Sequence, residues 1–133
     1  MRRIPVFFYG LFMDAELLRT KNVTPRVIGQ ASVIGFALRI GNRATLVPHP
    51  EGHVFGMLME LTHDEIDALY AESSVAQYRA EPIVALRDGA GIPALCFNLP
   101  VPPAEDERND AYAAKLRVLG ERLALPAEYL QRI

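Results

Sequence analysis

The sequence predicts one α+β domain over residues 1–133, built on a curled or closed mixed β-barrel with flanking helices. Roughly five to seven short segments have the apolar, β-branched or aromatic composition of strands, and helix-forming segments interrupt them. Several of these strands contain glycine, which marks bulges or bends and favours a curled sheet over a flat one. The length of 133 residues is typical of one domain.

A strand, a turn and a short helix are predicted at the start of the chain. Residues 6–9 form an apolar, aromatic run that ends at Gly10, and such a run is typical of a strand buried on both faces. Gly10 then turns the chain. Asp14 is a candidate N-cap for the helix-forming residues that follow, so we expect a short helix that extends to about Lys21.

Several strands are predicted in succession after this helix. Residues 27–38 are rich in β-branched and aromatic residues, and Gly29 and Gly35 indicate bulges or bends in one long strand or two short ones. Residues 44–47 and residues 54–60 are predicted to be successive strands, because a loop rich in proline and glycine separates them.

A helix is predicted to begin at Thr62. Thr62 and Glu65 have the spacing of a capping box, in which each side chain satisfies a free backbone N–H group of the first turn. Apolar residues then recur at spacings of three and four, which places them on one helical face. We therefore expect this helix to pack inward and to end near residues 72–74.

Residues 78–133 are predicted to form a hairpin followed by two helices. Residues 78–86 and 93–99 have strand composition, and a turn at residues 88–91 joins them. Leucine and tyrosine then recur at helical spacing, which predicts a docked amphipathic helix from about residue 105 to residue 122. Pro126 suits the first position of a final short helix.

Composition and charge exclude several classes of function. The formal net charge is −2 and the basic residues are scattered, so we expect no nucleic-acid partner. No apolar run approaches the roughly 20 residues of a membrane-spanning helix, and the N-terminus lacks a signal peptide. These features predict a cytoplasmic protein. The single cysteine, Cys96, lies in an apolar run that is typical of a buried, unreactive thiol.

No metal site or cofactor is expected from the motifs. The chain contains no zinc-binding pattern, phosphate-binding loop, nucleophile elbow or dinucleotide fingerprint. His49 and His53 are four residues apart, but they lie in a loop rich in proline and glycine, where that spacing does not place them on one helical face.

The remaining candidates for chemistry are the residues that follow the first strand and those that follow the second helix. The order of several short segments resembles the gamma-glutamylcyclotransferase-like family, including its gamma-glutamylamine branch. The resemblance covers roughly residues 6–98 and is carried by residues 8–13, the Val-Pro pair at 47–48, residues 54–61, and the segment from Leu69 through Glu72 to Tyr78.

The resemblance implies a fold, a reaction and a set of site residues. Family members cyclise a gamma-glutamyl group to 5-oxoproline and release the attached amine or amino acid. By matching position, Glu72 is the expected general acid/base. The expected substrate-binding residues are Tyr9, Gly10, Leu11, Phe12, Met13 and Tyr78. The turn over residues 10–13 is expected to offer backbone N–H groups to an anionic part of a small gamma-glutamyl substrate.

Other readings of the same residues remain open. Leu11, Phe12 and Tyr70 depart from the residues that the family usually has, and they favour a non-catalytic binding or interaction protein that retains the fold. A hydrolase that lets water attack the same carbonyl is a third candidate. Glu72 alone is also consistent with a solvated residue at a helix end, although the helix dipole disfavours an acid there.

Overall fold

Five strands form the frame of the protein in the computed structural model, which describes residues 2–133. The strands are β1 (Arg3–Phe8), β2 (Arg26–Ile40), β3 (Ala44–Thr62), β4 (Arg79–Arg87) and β5 (Ala90–Asn98). They close into a barrel in the order β1-β3-β2-β4-β5. All neighbours pair antiparallel except β1 and β5, which are parallel where Val6 meets Leu95. The predicted closed, mixed barrel is therefore confirmed.

In the described part of the chain, four α-helices and one short 3₁₀ helix flank the barrel. They are the 3₁₀ helix Leu11–Met13, α1 (Ala15–Thr20), α2 (His63–Leu69), α3 (Asp110–Arg122) and α4 (Ala127–Leu130). No helix among residues 2–133 is both long enough and apolar enough to cross a membrane.

The barrel is curved by irregularities at two glycines of β2. The pairing of β2 with β3 shifts register between Val27 and Gly29, and again between Ile34 and Phe36, on either side of Gly35. Gly29 and Gly35 have φ angles of 139° and 85°, which L side chains rarely adopt. The two predicted bulges are confirmed, and they lie within one continuous strand.

The prediction of successive strands over residues 44–60 is wrong. The structure has a single strand of 19 residues, Ala44–Thr62. In this strand, Pro48 pairs with Phe36 of β2 and His53 pairs with Ile34, and the second irregularity of β2 lies between those two partners. The proline-containing segment from Pro48 to His53 therefore falls where the ladder is interrupted. Proline is tolerated at such a bulge, because no ladder hydrogen bond is lost there.

Two predicted helix ends are also corrected. Helix α2 ends at Leu69, three residues before Glu72, and the ring of Tyr70 leaves the helix to stack on Phe97 of β5 at 4.1 Å between centroids. Helix α3 begins at Asp110 instead of residue 105, because the Asn109 side chain accepts the N–H of Tyr112 and caps it there.

The remaining local predictions agree with the structure to within a few residues. Asp14 caps α1 by accepting the N–H groups of Glu16 and Leu17, and the capping box of Thr62 and Glu65 is complete. The hairpin of β4 and β5 turns on two residues only, both with positive φ. Pro126 precedes α4 as its N-cap, one position earlier than expected.

The core lies inside the barrel and under the helices. Val6 and Phe7 are 0% and 1% exposed although they point to opposite faces of β1. Both faces of β1 are therefore buried, as its continuous apolar sequence predicts. The first strand is thus firmly held, and it delivers the turn that follows it to a defined place at the end of the barrel.

Candidate functional site

A cavity of about 410 Å³ opens where β1 ends. It collects residues from distant parts of the chain, which only the closed barrel brings together. Of the predicted site residues, five line it: Tyr9, Gly10, Leu11, Phe12 and Tyr78. The sequence did not indicate its other main lining residues, which include Lys21, Arg43, Tyr70, Phe97 and Tyr112.

The walls of the cavity are largely aromatic. The Phe12 ring meets the rings of Phe8 and Tyr70 edge to face, with centroids 6.1 and 5.9 Å apart. Tyr70 in turn stacks on Phe97. Phe12 and Tyr70 each contact at least two other rings, which holds their positions well. The cavity is therefore a preformed, mainly apolar space with a few polar groups, as is usual for a small-molecule site.

Two tyrosine hydroxyls are fixed by backbone carbonyls. Tyr9 donates to the carbonyl oxygen of Phe97 at 2.7 Å, and Tyr78 donates to that of Ala44. Burial raises the pKa of Tyr9 well above its usual value and raises the pKa of Tyr78 to about 12. Both hydroxyls are therefore protonated at neutral pH, and neither is suited to act as a base.

The backbone donors of the turn are partly used by the protein itself. The N–H of Leu11 donates to the Tyr112 hydroxyl at 3.2 Å, and that of Met13 donates to the carbonyl of Gly10 at 3.0 Å. Met13 is also buried in the core and does not line the cavity, so its predicted contact with a ligand is corrected. The N–H groups of Gly10 and Phe12 have no hydrogen-bond partner among residues 2–133. Two of the four predicted donors therefore have no acceptor among the described residues.

Glycine is required at position 10 because Tyr112 lies against it. A Cβ atom there would be 2.5 Å from the Tyr112 hydroxyl oxygen but 3.8 Å from the next ring atom. We expect Gly10→Ala to lower the free energy of unfolding by about 1–2 kcal/mol, the usual cost of overpacking. Urea denaturation measures this loss.

The same contact predicts a rescue. Tyr112→Phe removes the clashing oxygen, so the double variant Gly10→Ala/Tyr112→Phe should be about as stable as Tyr112→Phe alone. The single Tyr112→Phe change should cost about 1 kcal/mol, since it removes the acceptor of the Leu11 N–H. Strictly additive losses in the double variant would show that this contact does not determine the residue at position 10.

Glu72 is not among the residues that line the cavity, and the prediction that it would be is corrected. Its two carboxylate oxygens both accept from Lys21 Nζ, each at 2.9 Å, and 43% of its side chain is exposed. The reason is the early end of α2, after which turns carry Glu72 to the mouth of the site. Lys21 itself lines the cavity, so the carboxylate lies next to the site without being inside it.

Three other glutamates that could replace Glu72 as an acid/base, Glu60, Glu65 and Glu81, are bound elsewhere. Glu60 pairs with Arg26, and Glu81 accepts from the side chain of Asn98. Glu65 caps α2; burial acts to raise its pKa, but hydrogen bonds from Thr62 and Thr24 lower it overall. None of the three lines the cavity.

Other reactive groups do not contribute to this site. Cys96 is fully buried, and burial raises the pKa of its thiol to about 12, as expected of an unreactive cysteine. Among residues 2–133, no group of three or more His, Cys, Asp or Glu side chains is placed to hold a metal ion. A second cleft of about 530 Å³, whose lining includes His49, His53 and Tyr129, contains none of the predicted site residues.

Solved structures share this fold at low sequence identity. A structure described as gamma-glutamyl cyclotransferase is 18% identical, with a TM-score of 0.81 over 98% of this chain and 86% of that one. An uncharacterized protein from Homo sapiens has the same identity and TM-score over 99% and 86% of the two chains. YkqA from Bacillus subtilis is 20% identical with a TM-score of 0.82, and the match covers 99% of this chain and 53% of YkqA.

The family is shown by a sequence model. Comparison with curated proteins finds no significant match. The family model described as gamma-glutamyl cyclotransferase, AIG2-like, matches residues 6–116. This range contains the turn after β1, all of the predicted site residues and every strand, apart from the first three residues of β1. The chain therefore belongs to the gamma-glutamyl cyclotransferase, AIG2-like family.

Proposed function

We propose that this protein cyclises the gamma-glutamyl group of a small substrate to 5-oxoproline and releases the attached amine or amino acid. The observation that carries this proposal is the cavity at the end of β1. It combines two open backbone donors, at Gly10 and Phe12, with a lysine whose ammonium group holds the Glu72 carboxylate at the mouth. Membership of the family supports the same reaction.

The open donors suit the anionic part of the substrate. In the proposed complex the N–H groups of Gly10 and Phe12 bind a carboxylate or the oxyanion that forms during attack, since neither has a protein partner. Tyr9, Leu11 and Tyr78 line the space around the glutamyl chain. Their fixed positions would hold the chain folded, with its amine close to the side-chain carbonyl.

Glu72 is proposed as the general acid/base. The substrate's α-amine is the nucleophile, and it must lose a proton before it attacks the carbonyl carbon of its own side chain. Glu72 would accept that proton. In the tetrahedral intermediate the α-nitrogen, now part of the ring, loses its second excess proton to solvent. When the intermediate collapses, the bond to the leaving nitrogen breaks and Glu72 returns its proton to that nitrogen. One carboxylate thus serves both transfers.

The contact with Lys21 is consistent with this role. An ammonium group already binds both oxygens of Glu72 at 2.9 Å, and the α-ammonium group of a gamma-glutamyl substrate is a donor of the same kind. We infer that the substrate's ammonium competes with Lys21 for the carboxylate. Because almost half of the Glu72 side chain is exposed, it has room to turn towards the cavity.

The test is to identify the product. The purified protein is incubated with a panel of gamma-glutamyl amines and gamma-glutamyl amino acids, and the mixture is analysed by mass spectrometry. We expect 5-oxoproline together with the free amine or amino acid. Free glutamate without 5-oxoproline would instead identify a hydrolase.

One observation favours a second candidate, a binding protein without catalysis. Glu72 is paired with Lys21 and lies outside the cavity lining, so among residues 2–133 no carboxylate lines the site. A binding protein would retain gamma-glutamyl compounds in calorimetry without releasing 5-oxoproline. Release from any member of the panel would contradict this candidate.

A further inference from the structure

The cavity contains a positive charge that the protein does not neutralise. Among residues 2–133, its lining includes two charged side chains, Lys21 and Arg43, and no aspartate or glutamate. Glu72 neutralises Lys21. Among residues 2–133, Arg43 forms neither an ion pair nor a side-chain hydrogen bond, although the chain as a whole carries a net charge of −2. Arg43 therefore has no anionic partner in the lining of this cavity.

The backbone at Arg43 is held firmly. The carbonyl of Arg43 accepts the N–H of Gly41 at 3.1 Å, which closes the turn between β2 and β3. The neighbouring Asn42 is held on both sides, because its N–H donates to the Glu107 carboxylate and its carbonyl accepts from Asn109 at 3.2 Å. The Glu107 carboxylate beside this turn therefore binds the backbone of Asn42 and forms no ion pair with Arg43.

The side chain of Arg43 lies near the tyrosines of the cavity. Burial raises the pKa of Tyr78 to about 12 and the neighbouring Tyr112 adds to the rise, whereas the positive charge of Arg43 acts to lower it. The next residue after Arg43, Ala44, accepts the hydrogen bond of the Tyr78 hydroxyl. The charge is thus close to the site, at the wall that Tyr78 and the turn form together.

A half-buried guanidinium without an acidic partner is suited to bind a carboxylate. Removing a cation from water is unfavourable unless an anion or several acceptors replace the lost hydration. Arginine presents planar pairs of donors that match the two oxygens of a carboxylate, which makes this pairing strong and directional.

We propose that Arg43 forms a subsite for the carboxylate of the leaving group, so that the preferred substrates are gamma-glutamyl amino acids and not gamma-glutamyl amines. This inference rests on the proposed function. There the glutamyl end of the substrate occupies the donors of Gly10 and Phe12, which belong to a different element from Arg43. A second carboxylate is present only when the leaving group is itself an amino acid.

The experiment compares two substrates that differ only in this group, gamma-glutamyl-alanine and its C-terminal amide. We expect the wild-type protein to have a higher kcat/KM for the acid than for the amide. Arg43→Gln should lower the ratio of the two kcat/KM values about tenfold or more, because it removes the charge that distinguishes them. Arg26→Gln is the matched control, since Arg26 is exposed and pairs with Glu60 away from the cavity; it should leave the ratio unchanged.

Each other outcome has a separate meaning. If Arg43→Gln lowers kcat/KM equally for the acid and the amide, Arg43 contacts the glutamyl end and the proposed subsite is overturned. If the variant leaves both kcat/KM values, and so their ratio, unchanged, the subsite is also overturned. If the wild-type protein converts neither compound, the proposed function fails for this pair, and calorimetry then decides the subsite. Tighter binding of the acid than of the amide by wild-type protein, lost in Arg43→Gln, would support it. Equal binding of both compounds by wild-type protein would overturn it.

Discussion

Glu72→Gln is expected to lower the rate of 5-oxoproline release about a hundredfold or more, the usual scale when a positioned general acid/base is lost. Glutamine has the size and reach of glutamate but cannot accept and return the proton. Stopped or continuous assays of the product at saturating substrate measure the effect on kcat. Binding of the substrate should weaken much less, because the substrate supplies its own nucleophile.

The fold should survive this change. The pair of Glu72 and Lys21 is partly exposed, and exposed ion pairs contribute only about 0–1 kcal/mol to the free energy of unfolding. The melting temperature should therefore move little. Glu16→Gln is a suitable control, since Glu16 is also an exposed carboxylate in an ion pair, with Arg19 at 2.7 Å. It should retain nearly full activity.

Near-full activity of Glu72→Gln would show that Glu72 is not the acid/base. Glu60, Glu65 and Glu81 would then be tested, although each would first have to leave its present partner.

The complementary variant Lys21→Gln tests whether the substrate's ammonium group competes with Lys21 for the Glu72 carboxylate. If the substrate's ammonium replaces Lys21, this variant should retain turnover; a loss as large as that of Glu72→Gln would indicate that Lys21 itself takes part.

Gly56→Ala is expected to lower the free energy of unfolding by about 3 kcal/mol, the upper part of the usual range for overpacking. A Cβ atom at Gly56 would be 2.1 Å from the carbonyl oxygen of Phe8 and 2.9 Å from the Phe7 ring. The first of these is backbone, which does not rotate away as a side chain does. Strand β1 would have to move away from β3.

The change should also affect the site. Phe8 is the last residue of β1, and the turn with Tyr9 and Gly10 follows it directly. Displacing this end of the strand would move the open donors of the turn, so activity should fall together with stability. Urea denaturation and the 5-oxoproline assay measure the two effects.

Gly91→Ala is the matched control for this prediction. Gly91 also lies in a strand, but it is exposed, and a Cβ atom would meet only the Val84 Cγ1 atom at 3.0 Å. Val84 is itself 57% exposed and free to shift. We expect a change of less than about 0.5 kcal/mol. Equal midpoints for Gly56→Ala and the wild type would contradict the proposed clash.

Much of the fold could be predicted from local patterns. The first strand was recognised from its continuous apolar run, α2 from its capping box, and the curvature of β2 from Gly29 and Gly35. These signals are local because a cap, a bulge and a buried strand each depend on the residue types within a few positions. The ends of α2 and α3 were less well predicted. Both depend on contacts with distant residues, such as the stacking of Tyr70 on Phe97.

The composition of the site could be predicted only in part. The turn after β1 and Tyr78 were identified through the order of short segments, and the structure places them around one cavity. Lys21 and Arg43 were missed, because a single lysine after a helix and a single arginine in a turn are common surface residues. Nothing near them in the sequence indicates that they line a cavity.

By itself, the sequence determined the barrel class, which follows from periodicity and glycine positions, and the family, which the order of its short segments resembles. Only the tertiary structure decided which backbone donors are open, where Glu72 lies and which charges line the cavity. Tyr112 occupies the Leu11 N–H from 101 residues away, and Lys21 holds Glu72 from 51 residues away. Such pairings are set by the closure of the barrel and the docking of α3, which bring together residues whose local sequences carry no signal of one another.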